Sequence, residues 1–386
     1  MSCYTNVGME VPLCTLVIVP RDKFSRVESS YHDVMAHNSG HYPVIYVDGG
    51  SPQPWAGKLD VLAAEGAIKL IRTGFYITQH EAYNLALPHV RSKYVILLDN
   101  DINVLDGWAE NLIQCAEETG AAAVMPLYEH REEGGDWIVH MCGADCGVEE
   151  RNGKLYFNEI HPLSYRARPE EPFRRCQTGL MEYHACLVRK DILDQIGPFD
   201  EKLGPALDHT DCSLMIRAAG GKIWFEPSAV VRFQLPPPLD WNDKKYFLAR
   251  WSPPLVAANE RAFSDKWGVQ FSNEHAVWYD NLRGRIYWPL RQAIADRFGS
   301  LAGKVANRTL RFIEPFVSRL AWVLSWVSEQ ERRKRLKALG SWQAPRLDSK
   351  YIRAFAEKIF RKPRPLQREI VDEKVALFQE PVELKA

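Results

Sequence analysis

Four short apolar runs in the first hundred residues restrict the fold of this chain more than any other feature. They are Leu13–Pro20 (LCTLVIVP), Pro43–Asp48 (PVIYVD), Ile68–Ile71 and Lys93–Leu98 (KYVILL). Each is too short for an ordinary helix, and the first two and the last are rich in Val, Ile and Tyr, which favour strands. Between them, Arg26–Met35, Lys58–Glu65 and Thr78–Leu87 read as helices, and Gly107–Thr119 and Ala121–Met125 continue the alternation as helix and strand. Strands that alternate with helices form βαβ units, so the expected class is α/β with a mostly parallel central sheet flanked by helices. In such sheets a ligand sits beyond the carboxyl ends of the strands. The polar residues there are Arg21 and Asp22, Asp48, and Asp99 with Asp101.

Asp99-Asn100-Asp101 is the sharpest local signal. Two carboxylates at the end of a buried strand are costly unless their charge is compensated. A divalent cation, Mg2+ or Mn2+, compensates it and completes its shell with phosphate oxygens and water. The simpler reading is a polar turn with an aspartate helix cap. Asp48, followed by Gly-Gly-Ser-Pro, is equally compatible with turn chemistry. Asp208-His209-Thr210-Asp211 precedes an expected helix at Asp211–Ala219, so it is either a cap or a general base for a hydroxyl nucleophile. Glu182-Tyr183-His184 opens an expected strand, Glu182–Arg189, on which Glu182 and His184 share one face. They are either a solvent-facing edge or part of a site.

Residues 129–180, rich in Gly, charge and aromatics, read as loops and antiparallel strands. Lys190–Ile196 reads as a helix, Lys222–Phe225 and Ala229–Phe233 as short strands, and the prolines at 236–238 as a rigid break. After about residue 276 the character changes. Leu301, Val305, Phe312, Phe316, Leu320, Val323 and Val327 recur at helical spacing beside Lys304, Arg308, Arg311 and Arg319. This is an amphipathic helix, kinked or interrupted at Pro315. The 386 residues therefore divide into a domain at 1–275, with halves 1–128 and 129–275, and a basic helical region at 276–386.

The formal net charge is zero, yet Arg283–Arg368 holds 21 Lys/Arg against 6 Asp/Glu. A basic segment on an acidic body implies a separate task for it. Its basic helices fit an anionic membrane surface, or else a charge-balanced layer packed on the acidic domain or in a homo-oligomer. No nucleic-acid motif accompanies the charge. The eight cysteines have no CxxC spacing, which argues against structural zinc and fits free thiols in a reducing compartment. The N-terminus lacks secretory features, and no apolar stretch reaches spanning length. A cytoplasmic chain, peripheral on the inner face of a membrane, is the expected location.

Taken in order, these pieces resemble a family 2 glycosyltransferase of the GT-A fold. The matching segments are CTLVIVPRD, VIYVDGGSP, Asn84 in EAYNLAL, YVILLDNDINVLDGWAENL, HACLVRKDILDQIGPFDEKLG, DHTDCSLMIRAAGGKIWFEPSAVVRF and NERAFSDKWG, spanning 13–268. The resemblance implies an inverting transfer from a nucleotide-diphosphate sugar to a hydroxyl acceptor, a glycan or lipid-linked glycan. Pro20 and Arg21 would start the nucleotide-binding loop, Asp48 would contact the base, and Arg72 would lie near the nucleotide. Asp99 and Asp101 match the DxD, with Asp101 the better direct metal ligand. Asp208–Asp211 matches the block holding the base, where the family's Glu-Asp is replaced by Asp208-His209. Asp208, His209 and Asp211 remain candidates in that order of preference. Glu182 and His184 are expected on the acceptor side. Phe233 and Gln234 stand where the family often carries a metal-binding histidine.

Trp224 and Trp251 could stack on sugars, although core packing accounts for either. The rival reading is a non-catalytic carbohydrate- or nucleotide-binding relative, motivated by the unusual DHTD block. A sugar-phosphate nucleotidylyltransferase needs a glycine-rich loop after the first strand, and VIVPRDKFS has none.

Overall fold

A computed structural model describes residues 11–360 except 237 and 326, leaving aside the side chains of 273–277. The end of the basic segment, 361–368, lies outside the described residues. The chain begins β1 (Cys14–Val19), α1 (Val27–Ala36), β2 (Val44–Asp48), α2 (Trp55–Ala64), β3 (Lys69–Arg72), α3 (Gln79–Ala86) and β4 (Tyr94–Asp99). It continues through β5 (Ile102–Val104), α4 (Trp108–Thr119), β6 (Ala123–Arg131), β7 (Ile138–Met141), β8 (Asp145–Arg151), β9 (Lys154–Ile160) and β10 (Cys176–Thr178). Then come β11 (Ala185–Arg189), α5 (Lys190–Ile196), α6 (Asp208–Ala218) and β12 (Ile223–Gln234). The C-terminal helices are α7 (Trp241–Arg250), α8 (Pro253–Trp267), α9 (Asn273–Gly284), α10 (Trp288–Phe298), α11 (Ser300–Ser325), α12 (Glu329–Ala338) and α13 (Ser349–Phe360).

The main sheet has the order β10-β12-β6-β11-β4-β1-β2-β3, with β5 added beside β12 and β7 beside β6. Along that path six strands run one way, while β10 and β11 oppose them. The α/β, mostly parallel sheet is thus the architecture present. Strands β1, β2 and β4 are buried at every position, as their unbroken apolar runs require. The seven described cysteines are all unpaired and buried.

Several boundaries differ from expectation. The strand expected from Glu182 begins at Ala185, because pairing with β4 starts at Ala185 opposite Leu98. The helix expected from Asp211 starts one turn earlier, which puts Asp208–Asp211 in its first turn. The two strands expected at 222–233 are one, β12, bulged between Glu226 and Val230. Helix α11 runs on through Pro315 without interruption.

The basic region is not a detached unit. Arg283 and Arg332 are buried, α11 packs on α7, α8 and α9, and α13 packs on α6, α8 and β8. Arg332 of α12 forms an ion pair with Glu81, the carboxylate of the capping box that starts α3.

Candidate functional site

A cavity of about 790 Å3 lies beyond the carboxyl ends of β1, β4 and β12, where the parallel-sheet rule places a ligand. Because β11 runs antiparallel beside β4, it is the residues before its start, Glu182 and His184, that arrive at the same edge. The ribbon of β8 and β9 supplies Phe157 and Glu159, and Trp278, Tyr279, Arg285 and Trp288 from the α9–α10 region close the far wall.

One wall of the cavity is a chain of charged groups. Asp99 Oδ1 accepts from Gln79, while its Oδ2 lies 2.8 Å from His184 Nδ1 and 3.2 Å from Arg21 Nε. The other nitrogen of His184 lies 3.0 Å from Glu182 Oε2, and the same oxygen receives His140 Nε2 at 2.8 Å. His140 Nδ1 continues to His130 Nδ1 at 3.1 Å. Burial works against ionising Glu182, yet the two imidazoles hold it well below the usual carboxylate range. Burial likewise opposes charge on His184, but the hydrogen bonds to Asp99 and Glu182 raise it. Burial, aided by its neighbour His140, pushes His130 down to about 3.

Asp101 differs from its partner in the DxD. It is buried, its Oδ1 has no hydrogen-bond partner among the described residues, and burial, reinforced by Asp99 and opposed by Arg21, raises it to about 6. A buried carboxylate oxygen left without a donor is expensive, so this atom fits a cation. A carboxylate oxygen is also the donor type that a hard divalent ion takes.

The opposite wall carries the Asp208 block. Leu207 is held in the left-handed region at φ 63°, and Gly204 precedes it at φ 137° with Thr78 Cβ 3.1 Å from where a Cβ would sit. Such backbone persists only where packing enforces it, and here it turns Asp208 into the cavity. Asp208 Oδ1 accepts from the His209 amide at 2.9 Å and lies 3.3 Å from His209 Nδ1, while Oδ2 is buried without a partner. Burial would raise Asp208, but the contact with His209 holds it at about 2. His209 is in turn held well above its ordinary value, against burial, by Asp208 and Glu159. His209 thus lies between two carboxylates, and Asp208 Oδ2 is the carboxylate oxygen of this block left without a partner among the described residues.

Among the residues singled out from the sequence, Arg21, Asp99, Asp101, Glu182, His184, Asp208 and His209 all line this one cavity. His184 sits against Asp99, beside the DxD turn, and Glu182 lies behind it on the other ring nitrogen. Asp211 does not join them. Its carboxylate accepts from Lys266 Nζ and Trp267 Nε1, each at 2.8 Å, and so ties α6 to α8. Asp48 and Arg72 pair with each other at 2.6 Å outside the cavity lining, and Asp48 Oδ1 also accepts from the Ser51 amide. Pro20 contributes its carbonyl oxygen, 3.5 Å from Arg250 Nη1. Trp251 lines the cavity and donates to Asp22 at 2.9 Å, whereas Trp224 is buried in β12 away from it.

Sequence reasoning passed over His140, Glu159, His161, Gln79 and Arg250. The one signal for His140 and His161 is density: three of the chain's 11 histidines fall between positions 130 and 161.

Residues 15–197 match the model of the glycosyl transferase family 2. This segment is a family 2 glycosyltransferase domain. It contains the DxD turn and the Glu182–His184 corner, and it stops before the Asp208 block. No curated protein matches the chain. Among solved structures the chain is similar to GalNAc-T7 with UDP, GalNAc and Mn2+, at 15% identity over 66% of this chain and 50% of that one, with a TM-score of 0.46. It therefore spans half the length of that relative. It is also similar to the mannosyltransferase PcManGT from Pyrobaculum calidifontis in complex with GDP-Man and Mn2+ (12% identity, 86% of this chain, 85% of that one, TM-score 0.43). A third is S. aureus TarS 1-349 (11% identity, 83% and 91%, TM-score 0.40).

Proposed function

We propose that this glycosyltransferase moves a sugar from a nucleotide-diphosphate sugar to a hydroxyl acceptor with inversion at the anomeric carbon. One observation carries the reading. Two buried carboxylate oxygens, Asp101 Oδ1 and Asp208 Oδ2, have no partner among the described residues, and both residues line the same cavity. The first suits a cation and the second suits a proton. Asp101 would hold a divalent cation directly, since the Asp99 oxygens are already taken by Gln79, Arg21 and His184. Such a cation, Mn2+ or Mg2+, neutralises charge on a departing diphosphate. Arg21 and the buried Arg250 supply fixed positive charge on the same side. Asp208 takes the acceptor's proton as the hydroxyl oxygen bonds to the anomeric carbon and the diphosphate leaves with the bonding pair. His209 positions Asp208 as a charged neighbour. Asp48 and Arg72, at the ends of β2 and β3, stand at the nucleoside end. Trp251, Trp278, Tyr279 and Trp288 offer flat apolar faces for sugar rings of the acceptor.

Thermal stabilisation and hydrolysis across a panel of nucleotide sugars, with and without Mn2+, test this. Indifference to every donor would sink it. Donor binding without turnover that depends on Asp208 would instead identify a non-catalytic relative.

We also assign the outer face of α11 to an anionic membrane surface, which suits a lipid-linked acceptor. Its inward face is polar: buried Glu314 pairs with Arg283 of α9 and accepts from buried Ser318. Its outward face is apolar, with Leu301, Val305, Phe312, Phe316, Leu320 and Val323 each more than half exposed. Lys304, Arg308, Arg311 and Arg319 flank that stripe. No described helix is long and apolar enough to cross a membrane, so the helix would lie in the interface. Flotation with anionic liposomes tests it. Self-association without liposome binding would point to a homo-oligomer instead.

A further inference from the structure

The proposed transfer does not require the arrangement of the His140–Glu182–His184 corner. We propose that these three side chains form a second metal site, for a divalent transition cation of the Zn2+ type, separate from the cation proposed at Asp101.

The geometry supports this in five ways. One ligand atom from each residue lies within 4.8 Å of the others. Both imidazoles aim Nε2 at the same carboxylate oxygen, at 2.8 and 3.0 Å. Metal–ligand lengths near 2.1 Å put tetrahedral ligand atoms roughly 3.4 Å apart, so a cation needs only a small expansion. Both rings are held by an outer contact through Nδ1, and that of His184 is the carboxylate contact of a metal-bound histidine. His184 donates Nδ1–H to Asp99 and His140 meets His130 through Nδ1, which leaves both Nε2 atoms to the centre. His140 is also placed by a device. The β6–β7 register shifts between Tyr128 and Glu129, pairing Met141 with Tyr128 and Val139 with Glu129, so His140 is the unpaired residue of a bulge. Bulges commonly re-aim a side chain beside a site. Finally, all three residues line the cavity, so a fourth position opens toward substrate. Two imidazoles and one carboxylate select a borderline cation, whereas Asp101 selects a hard one.

Tag-free protein, stripped with chelator and dialysed against Zn2+ alone, should retain one Zn2+ per chain by elemental analysis. With Co2+ as the probe, its visible spectrum should carry ligand-field bands of a nitrogen and oxygen site and no thiolate charge-transfer band. His140→Ala and Glu182→Gln should weaken Zn2+ at least about a hundredfold, and Asp99→Asn, which unseats His184, about tenfold to a hundredfold. Asp101→Asn should leave Zn2+ affinity unchanged. Since His140 is partly exposed, His140→Gln serves if the alanine variant fails to fold. Wild type that takes up no Zn2+ overturns the proposal outright. So do unchanged affinity in the His140 and Glu182 variants, or loss confined to Asp101→Asn. No donor is present in these measurements, so failure of the transferase reading leaves their outcome untouched.

Discussion

Around the cavity, charged side chains are taken out of water, while along α11 apolar ones are left in it. Asp99, Asp101, Asp208 and His184 are each at most 5% exposed, whereas Leu301, Phe312 and Leu324 exceed 70%. A helix packed on a domain ordinarily turns its apolar stripe inward; α11 turns inward Glu314 and Ser318. Both regions therefore carry a cost the fold alone does not explain. The cavity holds unsatisfied carboxylate oxygens ready for a proton or a cation, and the helix holds an apolar surface ready for a cover. The difference lies in what each awaits: specific small groups in one case, a broad surface in the other.

The strongest way to break that contrast is at Asp208. Asp208→Asn should lower kcat by about 10^2 to 10^4 with donor affinity retained, read by steady-state kinetics beside donor titration. A loss in affinity alone would make Asp208 a binding residue.

Next in size is the polar seam under α11. Glu314→Ala leaves the Nε of buried Arg283 without its acceptor while Asp280 and the Trp251 carbonyl still hold the rest of the guanidinium, and should cost about 1–3 kcal/mol of stability. Urea unfolding measures it, and a change below 1 kcal/mol (roughly the value of an exposed pair) would mean that the seam is wet.

Phe312→Ser should do the reverse of a core change. Unfolding stability stays within about 0.5 kcal/mol, but partition onto anionic liposomes falls by roughly 2 kcal/mol. Point changes are preferable to deleting the segment, because deletion removes Arg285 and Trp288 from the cavity wall. Equal partition would remove the membrane assignment.

A comparable effect is expected from acid. Asp208 has its folded value near 2 against an ordinary 3.8, a depressed value. Its ionised form therefore contributes stability that is complete above the ordinary value and disappears as pH falls through the folded one. The stability gap between wild type and Asp208→Asn should shrink by about 2 kcal/mol from pH 5 to pH 2. A pH-independent gap would show that His209 does not hold Asp208 ionised.

The smallest change is expected on the basic flank of α11. Replacing any one of Lys304, Arg308 or Arg319 by Ala should weaken liposome binding by about 1 kcal/mol at low salt, and by less as salt rises.

The legibility of the two regions differs for a physical reason. Strand ends are punctuated locally, so Arg21, Asp48, Asp99 and Asp101 could be placed at carboxyl ends from sequence alone. The Asp208 block was visible as chemistry, but which of its members is free was not. Asp211 loses its candidacy to Lys266 and Trp267, more than fifty residues away. The partnership of His140 with Glu182 and His184 was invisible, because it depends on an antiparallel strand inserted between β4 and β6 and on a one-residue bulge.

The sequence by itself determined the α/β alternation, the positions of the strand-end carboxylates and the existence of an apolar stripe on α11, all of which follow from local periodicity and turn chemistry. Only the tertiary structure decided that Asp208 keeps an unpartnered oxygen, that three distant side chains converge on one point, and that the α11 stripe faces outward. Periodicity defines a face but not its direction, and convergence belongs to contacts between residues far apart in the chain.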